Sequence, residues 1–287
     1  MTIKQINQLK PGRLRALTGM TVKALEQLLA LAVPELVRRR EQARRKWPDR
    51  KRAVGGGAKR KLSAAQEVLL VLIYLRHNVA HEVTGQLFGV SADTSENLFH
   101  EIVPLLRDLF PANRFAAEKR FRRSGPRLQV EQIDRILIDS FETAIPRPSL
   151  KERQKRVSSG KKRRHTLKTQ VVSDREGEVL DLSAGHRGPA ADKRGDEASQ
   201  VAEQFPQARK QGDLGDQGTE GIEVPHKKPR GGELTDEQRE ANRRMASVRV
   251  HVEHAIRRVK GFKIVRENYR LAVGLFPMVA AAKVLHY

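Results

Sequence analysis

Arg135-Ile136-Leu137-Ile138-Asp139-Ser140 sets three aliphatic side chains in a row between an arginine and a carboxylate. A short continuous apolar run of this kind predicts a buried strand, with Asp139 emerging at its polar end. Similar segments at 164–173, 178–183 and 211–216 predict further strands, and Asp174-Arg175-Glu176-Gly177 has the composition of a hairpin turn. Residues 190–204 and 234–259 have helical composition. Three strands joined by hairpin-like turns, then helix, strand and long helix, predict an α/β domain around a mixed sheet.

Two further acids stand in contrasting settings. In Gly212-Asp213-Leu214-Gly215-Asp216-Gln217-Gly218, glycines allow a sharp turn as a strand presents its last side chains. Asp213 and Asp216 are both candidates, and Asp216 also fits as a turn residue. Within the closing helix, Met245, Val248, Val252, Ala255 and Val259 recur at spacings of three and four and predict its buried stripe. Arg249, Glu253, Arg257 and Lys260 lie together on an adjacent face. Glu253 is then either a metal-ligating carboxylate at the rim of the core or a surface glutamate between Arg249 and Arg257 at ion-pair spacing. His251 and His254 flank it without the His-Glu-x-x-His spacing of a zinc helix.

Upstream, the leucine-rich segment 21–37 predicts a packed helix started by Thr21. Residues 38–61 hold 12 Lys or Arg against Glu41 and Asp49 and predict a mobile basic linker. Ser63-Ala64-Ala65-Gln66 has the form of a capping box ahead of the apolar run 68–75. Residues 81–88, Gly89-Val90-Ser91 and 92–100 then give helix, tight turn and helix, which is helix-turn-helix geometry. Its second helix would turn Thr94 and Ser95 toward base edges. A purely structural helical pair is the alternative, since Asp93 and Glu96 would oppose phosphates.

The chain has 287 residues, 56 Lys+Arg against 34 Asp+Glu, a net charge of +22 and no cysteine. Such a surplus points to a polyanionic partner, and the lack of cysteine excludes disulfides, thiolate metal sites and a cysteine nucleophile. Aromatic content of 5% argues against extensive stacking of single strands and favours duplex DNA. No apolar stretch is long enough to span a bilayer, and a soluble intracellular protein is expected.

The order Asp139, Asp216, Glu253 occurs within Ile138-Asp139-Ser140-Phe141-Glu142-Thr143, Leu214-Gly215-Asp216-Gln217-Gly218 and an Arg249-x3-Glu253-x6-Lys260 pattern. It resembles bacterial insertion-sequence transposases with a DDE endonuclease domain. Lys161-Lys162-Arg163-Arg164, opening a strand after the first Asp, and the helical segment 62–109 extend the resemblance. It implies a ribonuclease H-like mixed sheet with flanking helices over 111–287, preceded by a small all-α helix-turn-helix domain over 1–110. It implies Asp139, Asp216 and Glu253 as catalytic ligands of two magnesium ions, with manganese as substitute. Among the two glycine-turn aspartates, the family pattern selects Asp216.

The resemblance further implies contacts from Arg249, Lys260 and the Lys161–Arg164 run to double-stranded DNA, both element ends and target. A homo-oligomer assembled on DNA, with no membrane contact, in the bacterial cytoplasm beside the nucleoid, completes the expectation. A catalytically silent DNA-binding regulator of the same fold is the alternative. Ala191-Asp192 in place of His-Asp departs from the family pattern and leaves Asp192 without an assigned role; Ala246, where some relatives carry a tyrosine, is a second departure.

Overall fold

The computed structural model describes residues 10–45, 59–109, 133–160, 162–187, 205–218 and 221–269, without the side chains of 183–187 and Asp216. The segment 190–204, with Asp192, and Lys161 lie outside the described residues. The chain divides into two compact units, one comprising the amino-terminal helices with Phe262–Ile264 and the other comprising the sheet and its helices.

The first unit holds helices α1 (Pro11–Thr18), α2 (Val22–Arg45), α3 (Ala64–His77), α4 (His81–Phe88) and α5 (Ala92–Leu109). Helix α3 is apolar nearly all round, and Val68 to Leu75 are buried, so it forms the centre. Its capping box is complete: the Ser63 side chain accepts from Gln66 N–H, and the Gln66 side chain accepts from Ser63 N–H. Helix α2 runs through to Arg45, which corrects the expectation of a mobile linker from residue 38. Arg39 and Arg40 of this helix, and Arg60 ahead of α3, are engaged. Arg40 pairs with Glu67 at 2.6 Å and Glu101 at 2.6 Å, Arg39 with Asp108 at 2.9 Å, and Arg60 with Glu67 at 2.8 Å. Glu67 is only 2% exposed, and a buried carboxylate of this kind requires such pairing.

In the helix-turn-helix, Gly89 takes φ +71° at the end of α4, and Ser91 caps α5 by accepting from Thr94 N–H at 3.2 Å. Gly85 lies so close to the turn that an added Cβ would stand 2.7 Å from the Val90 carbonyl oxygen. Only the missing side chain lets the two helices approach this tightly.

The second unit is a mixed sheet with strands β1 (Arg135–Ala144), β2 (Ser158–Ser159), β3 (Arg164–Asp174), β4 (Val179–Arg187), β5 (Arg209–Gln211) and β6 (Ile222–Glu223). Strands β1, β3 and β4 pair antiparallel in sequence, while β5 runs parallel to β1 and β6 parallel to β5. Helix α6 (Lys151–Val157) leads into β2, which pairs antiparallel with the start of β3. Helix α7 (Asp236–Val259) begins with a second capping box, from Thr235 and Gln238, and α8 (Lys263–Arg266) follows.

One face of the sheet buries Ile136, Ile138, Val172, Leu180 and Phe205. The alternate residues of β1, Asp139, Phe141 and Thr143, share the other face. Two hydrogen bonds help to fix helix α7. The Gln211 amide donates to the Met245 carbonyl at 2.9 Å, and Arg258 donates to the Gly177 carbonyl of the β3–β4 turn. Gly177 has φ +85°, and a Cβ there would meet the His251 carbonyl oxygen at 2.9 Å, so glycine serves both the turn and the close approach of the helix. The buried stripe of α7 is Val252, Ala255, Ile256 and Val259, with Met245 and Val248 half-buried.

Candidate functional site

Asp139 lies in the middle of β1, not at its end as the aliphatic run suggested, because β1 continues against β3 to Ala144. On its other side the parallel neighbour stops early. Strand β5 pairs Arg209 with Arg135 and Gln211 with Leu137, then leaves the sheet at Gly212. The expected strand 211–216 is therefore corrected: Leu214–Asp216 form a 3-10 turn. Continuing the observed register brings Asp213 level with Asp139.

These two carboxylates share a cation. Arg249 places Nη2 3.7 Å from Asp139 Oδ2 and Nη1 3.6 Å from Asp213 Oδ1. The Arg249 and Asp139 side chains are 18% and 19% exposed, so water screens the pair little. Arg249 Nε is buried with no hydrogen-bond partner. Both carboxylates are locally oriented: Ser140 N–H donates to Asp139 Oδ1 at 2.7 Å, and Leu214 N–H donates to Asp213 Oδ1. The Asp216 side chain lies outside the described residues, although its backbone closes the turn three residues beyond Asp213.

Glu253, one helical turn beyond Arg249, is exposed and makes no ion pair among the described residues, so the salt-bridged arrangement with Arg249 and Arg257 is not formed. Lys260, at the carboxyl end of α7, holds Nζ 5.0 Å from the centre of the Phe141 ring. Burial lowers its pKa from the ordinary lysine value, Lys162 lowers it further, and Asp139 opposes both. Lys162, Arg163 and Arg164 are exposed at the β2–β3 hairpin, with Arg163 in the left-handed region at φ 50°.

Among the described residues no three Asp, Glu or His side chains stand close enough to hold a metal ion. The donor chemistry nevertheless fits a hard divalent cation. Asp139 and Asp213 offer oxygen ligands that already converge on one positive charge.

In the helical unit, Thr94 is exposed, but Ser95 is fully buried. The Ser95 hydroxyl lies 2.7 Å from that of Thr84 and 3.0 Å from His81 Nδ1, so it binds the two helices together and does not face a groove. Sequence reasoning missed this role and that of Gln211. The signal for Ser95 was its position three residues before the apolar pair Leu98-Phe99, on the inward side of the helix.

Residues 60–112 match the helix-turn-helix of DDE superfamily endonuclease, and residues 138–286 match the DDE superfamily endonuclease. The chain is 28% identical over 281 residues to a Microchaete diplosiphon protein named as a transposase for insertion sequence element IS702, covering 94% of this chain and 91% of that protein. It is 29% identical over 220 residues to a Streptomyces albus G protein named as a transposase for insertion sequence element IS112, covering 75% and 76%. No solved structure matches it significantly. The endonuclease match opens at Ile138, one residue before Asp139, and extends past the helix that supplies Arg249 and Glu253; by that match the chain belongs to the DDE superfamily of endonucleases.

Proposed function

We propose that this chain is an insertion-sequence transposase, cutting phosphodiester bonds at the ends of its own element in duplex DNA and joining the freed 3′-hydroxyl to target DNA. One observation carries the reading: Asp139 stands mid-sheet where β5 ends, facing a guanidinium from the closing helix. A carboxylate that keeps a cation at the mouth of a sheet suits a reaction that concentrates negative charge on phosphate oxygens. The names of the two relatives support the same class.

Asp139, Asp216 and Glu253 would hold the metal, magnesium or manganese, as two ions. Bound there, such ions would neutralise charge on the phosphate and favour deprotonation of the attacking water in cleavage and of the freed 3′-hydroxyl in joining. The chain's own residues hold and orient the DNA. Arg249 would exchange its carboxylate partners for a phosphate oxygen, and Lys260 would add a desolvated charge beside it. Lys162, Arg163 and Arg164 would guide the duplex along the hairpin, and Lys161 belongs to the same run. In the helical unit, α5 would present Thr94 to a groove, and pairing of two ends would require a homo-oligomer on DNA.

The test is incubation of the full chain with duplex bearing the element's ends, with Mg²⁺ and with EDTA. Cleavage that leaves a 3′-hydroxyl and needs the metal is expected. Tight binding without cleavage in either Mg²⁺ or Mn²⁺ would make the protein a DNA-binding regulator instead.

A further inference from the structure

Residues 224–232, Val-Pro-His-Lys-Lys-Pro-Arg-Gly-Gly, include Lys227, Lys228 and Arg230 and no acid. Free in solution, such a loop would disperse its cations. Here it is tied down along its length. His226 N–H donates to Asn242 Oδ1 at 2.7 Å, and Asn242 Nδ2 donates back to the His226 carbonyl at 3.0 Å. Gly232 N–H closes a turn onto the Pro229 carbonyl at 3.3 Å, with Gly231 at φ +81°. Lys228 bonds Glu233 at 2.5 Å, and Arg239 Nε donates to the Leu234 carbonyl at 3.1 Å. Residues 226–231 are all exposed, so these bonds order the loop without burying it in a core. Lys227 and Arg230 make no ion pair among the described residues.

The loop's anchor shares a helix face with the site. Asn242 and Arg249 are seven residues apart, two turns of α7, which separates them by roughly 10 Å along one face. Met245, between them, receives the hydrogen bond from Gln211 at the end of β5, so this strip of α7 passes over the place where the strand stops.

We infer that the loop around Lys227 and Arg230, clasped by Asn242, is a second backbone-phosphate site for duplex DNA, gripping it about two helical turns of α7 away from the Asp139–Arg249 cluster. The inference rests on the proposed reading as a DNA-cutting enzyme and adds the surface that holds the duplex beside the cut. Duplex DNA presents one negative charge for about every 1.7 Å of axis, so roughly six phosphates span that interval. Because the clasp already orders the loop backbone that carries these cations, binding costs little further backbone freedom.

The experiment uses the full chain without metal and a labelled duplex bearing the element's end, titrated across a salt series, with a hydroxyl-radical footprint. Lys227→Ala with Arg230→Ala should lower the slope of log affinity against log salt by roughly 1.8 and remove protection from one flank of the footprint. Asn242→Ala removes no charge, yet should weaken binding several-fold and lose the same flank. A footprint equal to wild type in the double variant overturns the inference, even if the slope falls. Wild-type protein that fails to bind the duplex at all overturns the functional reading itself.

Discussion

The Arg249 guanidinium lies 3.7 Å from the Asp139 carboxylate, and the same group reaches Asp213 at 3.6 Å. The contact joins the middle of β1 to a helix residue 110 positions later in the chain. It forms where β5, parallel to β1 as far as Gln211, gives way to the turn that holds Asp213. Without metal, Arg249 supplies the positive charge that two neighbouring carboxylates need.

Removing that charge therefore has a signature of its own. Arg249→Gln should lower the thermal stability of the full chain in EDTA by about 1–3 kcal/mol, above the range for exposed pairs and below that for a fully buried one. Mg²⁺ should restore part of the loss, because a divalent cation held at Asp139 again offsets the negative charge there. A melting temperature in EDTA equal to wild type would show that the guanidinium does not compensate the two carboxylates.

The carboxylates are separable by assay. Asp139→Ala, Asp216→Asn and Glu253→Gln should each abolish metal-dependent cutting, yet leave affinity for the duplex equal or higher, since a carboxylate near phosphate repels it until metal binds. Asp213→Asn should keep cutting activity, its role being to share Arg249. An inactive Asp213→Asn beside an active Asp216→Asn would transfer the ligand role to Asp213.

Packing of the helix-turn-helix gives a third expectation. Gly85→Ala forces a Cβ against the Val90 carbonyl oxygen, a backbone atom with little room to yield, and should cost about 1–3 kcal/mol in a thermal melt. Ser95→Ala strips the Thr84 hydroxyl and the His81 ring of a buried partner and should cost about 1–3 kcal/mol. Thr94→Ala, on the exposed side, should melt like wild type and change only the preference for element ends over random duplex. A Ser95→Ala protein that melts like wild type but loses end preference would return Ser95 to the DNA interface.

Local patterns in the sequence carried much of this architecture. The aliphatic run before Asp139, the capping box at Ser63 and the glycine turn at Gly89 are short-range features, and all formed as their chemistry requires. What the sequence did not reveal was long-range. The point where β5 leaves the sheet depends on its register with β1, which no local pattern encodes. Likewise Arg38 to Arg45 looked like a solvated basic linker, because the partners that hold Arg39 and Arg40 on a helix are Asp108, Glu67 and Glu101, distant in the chain. Ser95 lay on the side of Leu98 and Phe99, but its hydroxyl partners Thr84 and His81 come from α4 and only packing brings them to it.

That ion-pair network makes the helical unit sensitive to acid. The Arg38 hydrogen bond, joined by Arg39, holds the Glu35 carboxyl at about 2, against an ordinary value of 4.5. For Glu101 and Asp108 burial alone would raise the pKa, but hydrogen bonds from Arg40 to Glu101, and from Arg107 and Arg39 to Asp108, outweigh it and leave both lowered. A carboxyl whose pKa falls on folding contributes stability that is present above its unfolded value and lost as pH falls through the folded one. Helical signal in the full chain should therefore melt at progressively lower temperature as pH drops from about 4.5 toward 2. Arg40→Met tests the centre of the network. It takes from Glu67 and Glu101 the guanidinium bonded to both and leaves only Arg60 beside them, so it should cost about 1–3 kcal/mol at neutral pH, less than a buried charge left wholly unpaired. Its stability should also fall less steeply on acidification than that of wild type, because Glu101 then has less to lose on protonation. A wild-type melting temperature flat across that window, or an Arg40→Met protein as stable as wild type at neutral pH, would show that the arginines of α2 do not hold this unit together.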